Sequence, residues 1–228
     1  MHDINILITT FNRPDMLSNL LNGINKLKAD YDIMIHIHND GSTNDYSKIV
    51  QTYTPHLKIK YFHHEHHGKK GYWQLINKVF SNIATARYYI MLPDDDILKE
   101  NFFDRIILEW NLIQDKDKIC LMPSINEERK WIPCWTGKMP FKEGNVWNVG
   151  YMDMRFICET SMFKELGEIP PIPLSRWEND NVLSSGVGRK ISILLDANGY
   201  NMYICDTDLT YQIPHEKKMN PLVKDRQI

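Results

Sequence analysis

Within the first 125 residues, short apolar runs alternate with longer stretches whose apolar residues recur every three or four positions. Strands separated by helices close into a parallel sheet with right-handed crossovers, so this alternation restricts the chain to an α/β fold. Ile4-Asn5-Ile6-Leu7-Ile8 is almost continuously apolar, the pattern of a strand covered on both faces. Pro14 stands where a helix begins, and Leu17, Leu20, Leu21, Ile24 and Leu27 then make one stripe at helical spacing. A second strand carries Ile33, Ile35 and Ile37 on one face and Met34, His36 and His38 on the other. A polar turn over 39–44 leads to a short helix over 45–51. A third strand over 57–62, a helix marked by Ile76, Val79, Phe80 and Ile83, and a fourth strand over 88–92 follow. A strongly periodic helix over 102–113 and a fifth strand over 119–122 complete the series.

Periodicity weakens after Pro123. Residues 124–160 hold Trp131, Trp135, Trp147 and several glycines, with few regular runs. The pattern predicts a helix starting near Trp177, another carrying Ile191, Leu194 and Leu195 that stops at Asn198-Gly199, and a late strand over 200–204. The polar, basic stretch from Pro214 onward reads as a loosely held end. The expected architecture is one Rossmann-like domain with a mainly parallel central sheet flanked by helices. It comprises a regular half, residues 1–125, and a less regular half, residues 126–228.

In an open parallel sheet, ligands bind beyond the carboxyl ends of the strands. Four polar segments fall there: 9–13, 39–44, 63–71 and 94–96. The last is the carboxylate triplet Asp94-Asp95-Asp96, delivered directly by the apolar run ending at Leu92-Pro93. Adjacent like charges repel, so such a cluster calls for a compensating cation. A hard divalent ion suits it, since Mg²⁺ and Mn²⁺ take one or two carboxylates and fill their other positions with water and phosphate oxygens. The same triplet also suits an acidic turn capping the helix that follows near Asn101. Its position after a buried strand favours the metal, and with it a diphosphate ligand.

A net charge of -2 leaves no electrostatic footprint for nucleic acid. No stretch is apolar and long enough to span a bilayer, and Met1-His2-Asp3 runs straight into a strand, which predicts a cytoplasmic protein without a signal peptide. Cys120, Cys134, Cys158 and Cys205 form no Cys-x-x-Cys pair and read as reduced thiols.

The order of motifs resembles nucleotide-sugar glycosyltransferases of the A-type fold, in particular the family-2 group. The motifs are Thr9-Thr10-Phe11-Asn12-Arg13-Pro14, Asn39-Asp40-Gly41-Ser42-Thr43, the Gly- and Lys-rich segment to Gly71 with Asn77 beyond it, and Leu92-Pro93-Asp94-Asp95-Asp96-Ile97-Leu98. The resemblance implies an enzyme that moves a sugar from a nucleoside-diphosphate donor, UDP-linked by preference, to a hydroxyl of a glycan or other acceptor, using Mn²⁺ or Mg²⁺. It assigns Thr9, Thr10, Phe11, Asn12 and Arg13 to the nucleotide, and Asp40 to the base, where a carboxylate suits the N3–H of uracil. It gives Asp94 or Asp95 to the ribose. Asp96 becomes the main metal ligand, with Asp94 beside it and a late His215 completing the shell. Two positions depart from the family pattern. Ile76 stands where an Arg usually precedes the motif Asn, so Tyr72 or Trp73 becomes the candidate to stack on the base, with Lys69 near the phosphates. Pro93 replaces the first carboxylate of the usual four-residue acidic motif.

The later half of such enzymes supplies the catalytic base from an acidic pair followed by a leucine. Trp177-Glu178-Asn179-Asp180-Asn181-Val182-Leu183 is the match, with Asp180 as base, Glu178 in reserve and Trp177 offering an apolar face to the acceptor sugar. These acidic residues equally suit a helix N-terminus. His63-His64-Glu65-His66-His67 invites a metal-site reading, but a single polar segment rarely converges its own ligands, and it is read as a loop. Two other functions stay open: a nucleotidyltransferase, which uses a related sheet and a metal to join a nucleotide to a sugar phosphate, and a non-catalytic binding module. A nucleotidyltransferase would need a Gly-rich opening loop with a cation for the triphosphate, which residues 9–14 lack; a non-catalytic sugar-nucleotide binding module would have no use for the base.

Overall fold

The computed structural model describes residues 1–113, 117–125, 136–177 and 180–212. The first half follows the pattern of its sequence: β1 (His2–Thr10), α1 (Pro14–Leu27), β2 (Ile33–Asn39), α2 (Ser47–Tyr53), β3 (Lys58–His63), α3 (Gly68–Ser81), β4 (Ala86–Pro93), β5 (Asp96–Leu98), α4 (Phe102–Leu112) and β6 (Ile119–Ile125). The second half adds β7 (Phe141–Glu143), β8 (Val146–Val149), β9 (Phe156–Cys158), α5 (Thr160–Leu166), β10 (Ser175–Trp177), β11 (Asp180–Ser184), α6 (Val187–Ala197) and β12 (Asn201–Gln212).

Among the described residues the main sheet has ten strands in the order β3-β2-β1-β4-β9-β6-β12-β8-β7, with β5 paired to β12. β3, β2, β1 and β4 run parallel, and β6 pairs parallel with β12. β9 lies antiparallel between β4 and β6, so a strand of the second half is sewn into the sheet of the first. The side chains of β1 sort as its apolar run requires. Ile4, Ile6 and Ile8 face a core shared with α1 and α4, through Leu17, Leu20 and Leu21 and through Phe102, Phe103 and Ile106. Leu7 faces the opposite core, shared with α3, α5 and α6 through Leu75, Phe163 and Ile191. Helices therefore cover both faces of the parallel strands, and their carboxyl ends open on one edge.

Three expectations change. The Gly- and Lys-rich segment is not all loop, because its residues from Gly68 onward form the first turn of α3. Residues 141–158 contain β7, β8 and β9, short strands whose partners lie far away in sequence. No helix starts at Trp177. β10 and β11 form an antiparallel hairpin in which Trp177 pairs with Asp180. Among the described residues, no helix is long and apolar enough to cross a membrane.

Candidate active site at the carboxyl edge of the sheet

Four chain segments meet where the parallel strands end. Thr9 and Thr10 end β1 and Phe11 and Arg13 follow it, Asp40 follows β2, Lys69 and Tyr72 lie in the first turns of α3, and Asp94 and Asp95 follow β4. All of them line one cleft of about 380 Å³, closed from the second half by Asp153, Met154, Arg155 and Ser185.

The acidic triplet is buried: Asp94 is 3%, Asp95 5% and Asp96 1% exposed. Two arginines answer the three carboxylates in different ways. Arg155 forks onto Asp96, with Nε 3.0 Å from Oδ2 and Nη2 3.2 Å from Oδ1. Arg13 instead brings one nitrogen to two carboxylates, Nη1 lying 3.1 Å from Asp94 Oδ1 and 2.9 Å from Asp95 Oδ2. Asp96 is the main metal ligand expected from the sequence. It is neither solvent-facing nor part of the cleft lining, because both its oxygens are committed to Arg155 in the interior. Burial pushes its pKa up to about 6 even with Arg155 alongside.

A chain of hydroxyls aims Asp94. The Arg13 backbone N–H donates to Tyr46 Oη at 2.7 Å, and Tyr46 Oη lies 3.2 Å from Thr10 Oγ1. Thr10 Oγ1 donates to Asp94 Oδ2 at 2.8 Å. Thr10 spends its proton on the carboxylate, so the Tyr46 hydroxyl must donate to Thr10. The chain turns Asp94 so that Oδ1 faces Arg13. Tyr46 is 1% exposed and was not singled out from the sequence; one aromatic residue in a polar turn gives no periodic signal.

Asp40 has a structural task beside any contact to a ligand. Its Oδ1 accepts from the backbone N–H of His67 at 2.9 Å and from His67 Nδ1 at 2.7 Å, and its Oδ2 accepts from the Gly68 N–H at 3.1 Å. It thus caps the start of α3 from a neighbouring strand, where a helix has unpaired N–H groups and favours negative charge. His67 Nδ1 carries the proton given to Asp40, which leaves Nε2 to accept from Lys78 Nζ at 3.1 Å. The next residue must be glycine. Gly41 has φ +71°, and a Cβ there would lie 2.6 Å from the His66 backbone nitrogen. Phe11 stacks on His66 with centroids 4.2 Å apart, forming one wall of the cleft.

The remaining candidates divide. Thr9 Oγ1 meets Tyr72 Oη at 3.2 Å inside the cleft. Asn12 does not line it: at φ +50°, it accepts from the Thr43 N–H through Oδ1 and ties the first two loops together. Trp73 lines a separate groove with Phe163 and Gly167, so of the two aromatic candidates only Tyr72 faces the cleft. Asn77 clasps the backbone of Ile169 through both side-chain atoms, joining α3 to the second half. Trp177 and Asp180 sit opposite each other in the hairpin, whose second strand ends one residue before Ser185 of the cleft. Glu178 and His215 lie outside the described residues. The histidine run forms no metal centre; among the described residues no three His, Cys, Asp or Glu side chains are arranged to hold an ion. Arg155 and Asp153 were missed from the sequence, having no spacing that marks them.

A family model for glycosyl transferase family 2 matches residues 5–152. The chain belongs to glycosyl transferase family 2. It is similar to a chondroitin synthase of Pasteurella multocida (strain Pm70), 28% identical over 121 residues, which is 53% of this chain and 12% of that protein. Among solved structures, GalNAc-T7 with UDP, GalNAc and Mn²⁺ aligns at TM-score 0.69 and 15% identity over 94% of this chain and 43% of its own. S. aureus TarS 1-349 aligns at TM-score 0.63 and 16% identity, covering 92% of this chain and 60% of that one. A mannosyltransferase from Pyrobaculum calidifontis, in complex with GDP-Man and Mn²⁺, aligns at TM-score 0.62 and 13% identity over 93% of this chain and 59% of its own. At these identities the likeness is one of fold, and the family-2 chain spans only part of each relative's length.

Proposed function

We propose that this chain is a metal-dependent glycosyltransferase that moves a sugar from a UDP-linked donor to a hydroxyl of a glycan acceptor, with residues 1–125 as the donor half and 126–228 as the acceptor half. One observation carries the reading: Asp94 Oδ1 and Asp95 Oδ2 converge on a single cationic nitrogen at the carboxyl edge of the sheet. Two carboxylate oxygens around one positive centre are the protein share of a Mg²⁺ or Mn²⁺ site, whose other positions go to water and diphosphate. The metal role therefore passes from Asp96 to the pair Asp94–Asp95. A cation held there supplies Lewis-acid charge to the leaving diphosphate.

The chain's own residues do the rest. A carboxylate has about four acceptor positions. The described contacts put two donors on Asp40 Oδ1 and, on Oδ2, the Gly68 N–H with His66 Nδ1 3.3 Å away, so the place of His66 on Oδ2 would go to the N3–H of uracil. Cytosine presents an acceptor at that atom, and the mismatch costs about 1–3 kcal/mol. GalNAc-T7 has been solved with UDP and TarS 1-349 with UDP-GlcNAc, which is in keeping with uridine, whereas the mannosyltransferase has been solved with GDP-Man, so the choice of base rests on Asp40. Phe11 and Tyr72 supply ring faces on the cleft wall. Direct displacement also needs a carboxylate to take the acceptor hydroxyl's proton. Asp180 is the proposed base, with Glu178 in reserve.

The test is UDP release from a panel of nucleotide sugars with Mn²⁺. Turnover that survives excess chelator, or calorimetry with CDP or GDP bound more tightly than UDP, rejects the reading. Asp95→Asn should abolish metal-dependent release. Asp180→Asn should keep UDP affinity while slowing turnover roughly 10²–10⁴-fold; near-normal turnover would remove Asp180 from this role.

A further inference from the structure

We propose that Arg13 is the resident cation of the Asp94–Asp95 pair, which a divalent metal must displace, so that loading the metal hands the Arg13 guanidinium to the donor's diphosphate. The proposal rests on the metal reading above and goes beyond it by assigning Arg13 an exchange between two partners.

The contrast between the two arginines carries it. Arg155 is 2% exposed and meets Asp96 through two nitrogens and two oxygens, the planar fork that gives guanidinium–carboxylate pairs their strength. Arg13 uses a single nitrogen for two carboxylates of adjacent residues, as a point charge would. The fork is unused, so this contact is the weaker and more replaceable of the two. Arg13 also lines the cleft, with 12% of its side chain exposed. Its backbone is fixed: it precedes Pro14, which bars the helical region, and its N–H is held by Tyr46. Only the side chain is available to move.

The charges agree. Asp94 and Asp95 carry two negative charges against the one positive charge of Arg13, while Arg155 is divided between Asp96 and Asp153, whose Oδ2 lies 3.2 Å from Nη1. If a divalent ion joined while Arg13 stayed, three positive charges would face the two negative charges of the Asp94–Asp95 pair. If Arg13 leaves, the ion neutralises Asp94 and Asp95, and Arg13 is released as a cation beside an incoming diphosphate. A guanidinium is well matched to phosphate oxygens.

The test separates metal binding from turnover. Mn²⁺ affinity of the nucleotide-free protein is read by electron paramagnetic resonance of the free ion, for the unmodified chain and for Arg13→Met. An Arg13 that occupies the pair nine-tenths of the time weakens apparent metal affinity about tenfold, so Arg13→Met should bind Mn²⁺ about tenfold more tightly. It should also bind UDP less tightly than the unmodified chain when both are saturated with Mn²⁺. Equal Mn²⁺ affinities would overturn the exchange while leaving the metal reading intact. No Mn²⁺ binding to either protein, with or without UDP, would overturn both. A second measurement reads the unmodified chain directly. Titrating the unmodified, ¹⁵N-arginine-labelled chain with Mg²⁺ should shift the Arg13 side-chain resonance, assigned from its absence in Arg13→Lys, and leave that of Arg155 in place. An Arg13 signal that is unmoved at saturating Mg²⁺ would also overturn the exchange.

Discussion

Tyr46 is the least conspicuous residue of the site in sequence and one of its most committed in structure. Its hydroxyl accepts from the Arg13 N–H and donates to Thr10, which in turn holds Asp94. Tyr46→Phe keeps the ring in its core and removes the middle of that chain. The Arg13 N–H then loses its acceptor and Thr10 keeps only its bond to Asp94, at a cost of about 1–3 kcal/mol. Urea unfolding should show that loss, and calorimetry with UDP and Mn²⁺ should show weaker binding because Asp94 is no longer aimed. Unchanged stability and affinity would mean that Tyr46 is packing alone. The triplet and Asp40 were legible because charge clusters and turn residues at strand ends stand out against an apolar run. Tyr46, Asp153 and Arg155 were not, since their importance comes from which groups they meet across the fold. The same limit explains Asp96. Adjacent carboxylates look alike in sequence, and only the fold sends two of them to the cleft and the third to Arg155.

Elements with local periodicity were readable and elements held by distant partners were not. α1 and β1 carry stripes that already say which side is buried. β9 is three residues long and exists because β4 and β6 flank it, and the β10–β11 hairpin replaced an expected helix because acidic residues suit a helix start as well as a turn. The outer pair β2–β3 carries a feature that its alternation only half announced. His36 and His38 share one face of β2, and His38 stacks on Phe62 at 4.6 Å and on His64 at 5.2 Å, with Nδ1 3.0 Å from His64 Nε2. Burial, and then neighbouring histidines, push the His38 pKa down to about 3. The folded state therefore refuses a proton that the unfolded chain accepts below about pH 6.5. The stability tied to His38 is present above that pH and is lost as the pH falls toward 3. Between pH 6.5 and 5 the loss amounts to about 2 kcal/mol. His38→Phe keeps a ring in the stack and removes the titration, so the gap between urea midpoints at pH 7 and pH 5 should narrow. A gap of unchanged width would assign the acid sensitivity to other groups.

At the scale of the whole molecule, the second half is joined to the first by the strand pairings of β9 with β4 and β6 and of β12 with β6, and by side chains that include Asn77 on Ile169 and Arg155 on Asp96. The last is a buried ion pair, and burial outweighs the partner's charge, since the Asp96 pKa is raised to about 6 rather than lowered. A carboxylate with a raised pKa favours the folded state only at low pH. Its contribution is fully present below the ordinary carboxylate value and is lost as the pH rises through 6, so at neutral pH the pair costs stability relative to apolar packing. Its use is then positional: it fixes the cleft wall of residues 153–155 against the acidic triplet. Arg155→Met should destabilise the protein by about 3–5 kcal/mol at pH 8, because it strands a buried charge. That defect should shrink at pH 5.5, where Asp96 can take a proton. The double variant Asp96→Leu, Arg155→Met should recover the lost stability, and yet bind UDP with Mn²⁺ less tightly than the unmodified chain, because the wall is no longer registered to the triplet. The His38 effect is shared by all these proteins, so comparison at each pH cancels it. A double variant as unstable as the single one would show that the pair holds the halves together energetically, and full donor affinity in the double variant would show that it positions nothing.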